Sequence, residues 1–171
     1  MERIYQTIKK YQDHLIEKNE LYRVIGLNPS TETEESFCKK NLEKAMKQKD
    51  TEALALIIFL VFLFELDTKP FVEDAKLLIQ ERWHKSHEDL AWMLRMAKTP
   101  GCEETFYETA LMKLPYLYYD DANALAVNCI WALGDLNTLE ARKKLVGLTQ
   151  CENTVISEAA KDQLDRIAKE R

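Results

Sequence analysis

Apolar residues recur at three- and four-residue steps along most of the chain, with short polar turns between the periodic stretches. This spacing predicts helices throughout. Ile4, Ile8, Tyr11, Leu15 and Tyr22 form one stripe, predicting a first helix from Glu2 to Val24. Gly26 suits its left-handed end, and Asn28-Pro29-Ser30 reads as a loop. Thr31 and Glu34 have capping-box spacing and open a second helix to Lys47. Its apolar positions are few, so Lys39, Lys40, Lys44 and Lys47 should be solvated, with Lys49 beyond them.

Asp50 is placed to cap a third helix, Thr51 to Glu65, in which twelve apolar residues follow one another from Ala53 to Phe64. Twelve helical residues span about 18 Å, against roughly 30 Å for the hydrocarbon core of a bilayer. A helix apolar on every side and too short to cross a membrane is expected to be a central core helix. Pro70 then reads as the first residue of a fourth helix that carries Phe71, Ala75, Leu78 and Ile79 inward and runs to Trp83. Ser86 opens a fifth helix to Lys98, and Thr99-Pro100-Gly101 stops it. The sixth spans Glu103 to Leu114. The last three cover Asp121–Leu133, Thr138–Leu148 and Thr154–Lys169, with a break at Gly134-Asp135-Leu136-Asn137.

Composition agrees with an all-α chain. Among 171 residues there are only four glycines and four prolines, and helix formers dominate. The length fits one domain, covering residues 1–171. The net charge of −5 is uneven: residues 1–50 sum to about +1 and residues 51–171 to about −6. That acidic remainder disfavours nucleic acid and fits a basic protein partner, although an acidic surface also serves solubility alone. The lysines from Lys39 to Lys49 lack interleaved aromatics, which favours a solvated face over an RNA contact. Cys38, Cys102, Cys129 and Cys151 show no metal-type spacing, and the N-terminal stretch MERIYQTIKKYQDHL lacks an apolar run. These features predict reduced thiols and a cytosolic protein with no membrane association.

A period emerges in the last third. Ala124, Leu125, Cys129 and Leu133 match Val155, Ile156, Ala160 and Leu164 at an offset of 31 residues. The segments LRMAKTPGCEETFYETALMKL and LVGLTQCENTVISEAAKDQL also align with one residue of slack. Self-similarity of this kind predicts a helical solenoid. With short connectors, about nine helices should run antiparallel to their neighbours.

At these residues the chain resembles HEAT-type repeats of the short kind. Ala132-Leu133-Gly134-Asp135-Leu136-Asn137 stands for the end of one helix and its turn, and Leu139, Ala141, Leu145 and Leu148 for the second helix. The resemblance implies an α-solenoid over residues 68–171, with residues 1–67 as an N-terminal helical cap and core helix. The chain is also similar to small bacterial HEAT-like immunity proteins of polymorphic toxin systems, including contact-dependent growth inhibition. The segments concerned are His87-Glu88-Asp89-Leu90, Pro115 to Asp121, and Cys129 to Gly134. This likeness implies a protein-binding face and a toxin partner in the cytoplasm.

The connector Tyr116, Tyr118, Tyr119, Asp120, Asp121 is the first candidate contact patch, because tyrosine combines large contact area with low entropy and the carboxylates suit a cationic partner. The same residues would also serve as a helix cap and inter-repeat filling. A second candidate cluster is Trp83, His87 and Glu88, with His84 and Asp89 beside it. His84 and His87 have no third metal ligand at a recognised spacing, so no metal is expected. Trp131, beside the core positions Ile130 and Leu133, is expected to be half-buried, and Trp92 is similarly placed; for both, packing is favoured over contact with a ligand. His14 has no nucleophile near it in the sequence, the cysteines have no obvious activating neighbour, and no phosphate-binding glycine loop or zinc-protease motif is present. The chain is therefore expected to be no enzyme and to need no cofactor. The leading expectation is an immunity protein that neutralises a toxin, such as a nuclease domain, by tight binding. The alternative is a scaffold or assembly factor for another cytosolic complex.

Overall fold

The computed structural model describes residues 1–117 and 123–169, and these form helices and turns without a strand. The chain divides into two compact units, Met1–Leu66 and Asp67–Arg171.

The first unit holds α1 (Glu2–Gln12), α2 (Lys18–Ile25), α3 (Glu34–Gln48) and α4 (Thr51–Leu63). The expected first helix is thus two helices. The chain turns left-handed at His14 (φ 56°), Leu15 N–H bonds back to the Lys10 carbonyl, and Leu15 stays 72% exposed instead of joining the stripe. Gly26 ends α2 in the left-handed conformation (φ 83°), as its position predicted. The capping box lies two residues beyond the expected one. Thr33 Oγ1 accepts from Ser36 N–H and Ser36 Oγ accepts from Thr33 N–H. Thr31 is held in a turn on the Asn28 carbonyl. Glu34 instead takes Lys18 Nζ at 2.7 Å and the Tyr22 hydroxyl at 2.6 Å, joining α2 to α3.

Asp50 caps α4 through its bond from Ala53 N–H. Leu54, Leu56, Ile57, Ile58, Leu60 and Val61 are buried, which fits the reading of α4 as a core helix, while Phe59 reaches the surface. Among the described residues, no helix is long and apolar enough to cross a membrane.

The second unit holds α5 (Val72–Leu78), α6 (His87–Ala97), α7 (Glu103–Ala110), α8 (Ala124–Leu136), α9 (Leu139–Leu148) and α10 (Thr154–Lys169). Pro70 lies in a 3-10 turn, Lys69–Phe71, ahead of α5, and α5 stops at Leu78 rather than Trp83. The Leu78 carbonyl, at the end of that helix, bonds His84 Nε2. Phe71, Ala75, Leu78 and Ile79 are buried as expected. The expected break at Gly134-Asp135-Leu136 does not occur: α8 runs through these residues and ends at left-handed Asn137 (φ 51°). Asp135 is engaged by two arginines and caps no turn. Thr138 caps α9 by accepting from Ala141 N–H.

Alternate helices adjoin in this unit: α8 packs on both α6 and α10, and α7 packs on α9 as well as on α8. The burial phases share a register. His87, Leu90, Ala91, Met93 and Leu94 of α6 are buried, and so are Ala126, Cys129, Ile130, Ala132 and Leu133 of α8, each 39 residues further on. From α8 to α10 the step is 31 residues, and Leu125, Ala126, Cys129 and Ala132 then correspond to buried Ile156, Ser157, Ala160 and Gln163.

Candidate functional site

With those positions turned inward, the same helical phase turns Trp92, Arg95 and Met96 of α6 and Asn128, Trp131 and Asp135 of α8 outward. Trp92 is 45% exposed and Trp131 46% exposed, so both are half-buried as expected, with a large part of each ring in solvent. The Arg95 guanidinium lies between their rings, 5.4 Å from that of Trp92 and 5.2 Å from that of Trp131. Attraction between the cation and the negative faces of the indoles favours this arrangement. Arg95 is also fixed by Asp135, with Nε to Oδ2 at 2.8 Å.

Asp135 accepts a second cation. Arg166 of α10 reaches its other oxygen at 3.1 Å and also bonds Gln163 at 3.0 Å. One carboxylate thus ties α6, α8 and α10 together, and charge-assisted bonds of this kind are among the stronger ones in proteins. Gly134 makes room for them: a Cβ there would run into the side chains of Gln163 and Arg166. At the other end of the same helices, Asn153 Nδ2 donates to Asn123 Oδ1 at 3.0 Å.

The helices α7 and α9 carry a different surface. Lys144 pairs with Glu104 and lies 4.8 Å from the Tyr107 ring centroid. Below it, Glu103 accepts from Gly101 N–H at 2.7 Å and from the Thr138 hydroxyl at 2.8 Å. Burial works against the Glu103 carboxylate, yet these donors and its own N–H hold it below the usual carboxylate range.

The Trp83–Glu88 cluster is mostly internal. His84 and His87 are buried and stack with ring centroids 4.5 Å apart. His84 Nδ1 accepts from Ser86 N–H, so its Nε2–H donates to the Leu78 carbonyl at 2.9 Å. His87 Nε2 lies 2.8 Å from the Glu81 carbonyl and Nδ1 lies 2.9 Å from the Tyr116 hydroxyl. Nε2–H therefore donates to Glu81, and Nδ1 accepts from Tyr116. Burial pushes His87 down to about 4 and lowers His84 as well. These rings hold the segment between α5 and α6 in place as neutral donors and acceptors. His87 has no exposed surface with which to touch a partner, which corrects its expected role. Trp83 is half-buried and Glu88 is exposed.

Of the connector candidates, Tyr116 is half-buried against His87, whereas Tyr118, Tyr119, Asp120 and Asp121 lie outside the described residues. A groove of about 1070 Å³ adjoins Leu117 and Asn123 and is lined by α7, α8 and α10 residues, including Leu125 and Ile156. Cys38, Cys102 and Cys129 are buried, and burial raises each thiol, Cys38 to about 12, so none of the three is poised as a nucleophile. Among the described residues, no three His, Cys, Asp or Glu side chains gather to hold a metal ion.

The arrangement sets two large half-exposed rings on adjacent helices around an arginine held by Asp135. Comparison with protein-family models, with curated proteins and with solved structures returned no match.

Proposed function

We propose that this chain is a protein-binding module of the HEAT-like solenoid kind, acting in the cytoplasm without turnover or cofactor. The observation that carries the reading is the pair of half-exposed tryptophans, Trp92 and Trp131, fixed on adjacent helices by Arg95. Tryptophan and arginine are the residues most enriched at binding hot spots, and a side chain already immobilised loses little entropy on association. The alternate-helix packing and the shared burial register support a repeat architecture.

The partner class follows from the resemblance to immunity proteins: a toxin domain, basic and nuclease-like, whose active site is covered. The acidic balance of residues 51–171 supports a basic partner. Tyr116 to Asp121 remain a second contact in this account, so reversing the charges of Asp120 and Asp121 to lysine should weaken binding with helicity unchanged.

The test is capture of partners by the tagged chain from its own cells, washed at low and then high salt. The expected result is a basic protein domain whose activity the chain blocks. Recovery of a constitutive complex would favour a scaffold or assembly factor instead. Absence of any specific protein would overturn the binding reading.

A further inference from the structure

We infer that the α6–α8–α10 face is the docking surface for a basic segment of a protein, with a lysine or arginine of that segment stacking on Trp131 between the carboxylates of Glu158 and Asp162. The inference rests on the protein-binding reading above and adds the site and the chemistry of its occupant. The Asp135–Arg166 bond joins residues 31 apart on α8 and α10, and the Asn123–Asn153 bond joins residues 30 apart near the other end, so the two helices run in register. Helical periodicity then sets Asp162 level with Trp131 one turn back from that bond, and Glu158 level with Val127 two turns back. Glu158 and Asp162 are both exposed, as is Trp131.

The structure already shows what the two indoles accept. Arg95 occupies the space between them, and its charge is shared with Asp135. The outer part of Trp131 is open to solvent, and the nearest position on α10 supplies a carboxylate rather than a further cation. A cation arriving there gains both a ring face and a counter-charge. An anionic polymer gains the rings but meets Glu158 and Asp162, so stacked nucleic-acid bases are disfavoured on this face.

The probes are a capped peptide alternating arginine with glycine, its glutamate counterpart and a single-stranded thymidine oligonucleotide, each titrated into the full chain while tryptophan fluorescence is followed. The arginine peptide should bind saturably and more weakly at high salt. Asp162→Lys and Trp131→Ala should each weaken it about tenfold, and Trp131→Phe should recover part of the loss. Circular dichroism confirms that the surface variants keep their helices. Equal binding of the glutamate peptide, tighter binding of the oligonucleotide, or unchanged affinity in Asp162→Lys would overturn the inference.

The same variants separate this inference from the reading beneath it. A captured protein that binds Trp131→Ala and Asp162→Lys as tightly as wild type would leave the module a protein binder and remove this face as its site. No captured protein, with the arginine peptide still bound in the expected pattern, would retain the surface chemistry and remove the assigned role.

Discussion

Gly134 lies buried on α8 beneath the side-chain ends of Gln163 and Arg166, which a Cβ there would meet. Gly134→Ala should change stability by no more than about 1 kcal/mol, because the ends of two flexible side chains must move while alanine has the better helix propensity. Chemical denaturation reads this directly, and a loss several times larger would show that the two side chains cannot relax. The sequence offers Gly134-Asp135 as a turn, because glycine and aspartate usually signal one. Here the glycine serves close packing and the aspartate serves two arginines, contacts that local sequence does not display. The half-burial of the tryptophans is legible in the sequence. Each stands beside core residues in the chain, but the phase set by Leu90, Ala91 and Leu94, or by Ile130 and Leu133, points it outward. That signal was available in the spacing.

Among the elements, those set by local chemistry were legible: α10 from Thr154 to Lys169, the Asp50 cap, the start of α9 at Thr138, which the structure shows to be its cap, and the left-handed end of α2 at Gly26. Those set by distant partners were not, as with α5, whose last carbonyl is bonded by His84 beyond the expected helix end. The two caps differ in their connections. Asp50 bonds its own helix, whereas the Thr138 hydroxyl also donates to Glu103 of α7. Asp50→Ala should therefore cost about 1 kcal/mol and Thr138→Ala about 2 kcal/mol, since the latter also leaves a buried carboxylate short of a donor. Equal losses in urea unfolding would mean that the bond to Glu103 adds nothing.

For the molecule as a whole, the buried histidine pair predicts how stability depends on pH. Both rings take up protons less readily when folded than in an unfolded chain, where the ordinary value is 6.5. Their contribution is fully present above pH 6.5 and is lost as pH falls toward 4, where His87 begins to charge in the folded state. His87 alone accounts for up to about 3 kcal/mol across that interval. His87→Gln should lower stability near neutral pH and flatten the decline below pH 6.5, as read from unfolding midpoints. A decline equally steep in the variant would place its origin elsewhere.

We propose that the face built by α6, α8 and α10 binds protein. Its most direct measurement is the affinity of the captured partner for wild type and for the Trp92→Ala, Trp131→Ala double variant, with helicity monitored. We predict a loss of at least about tenfold at unchanged helicity, as for truncated hot-spot aromatics. Undiminished affinity in a folded double variant would contradict the account.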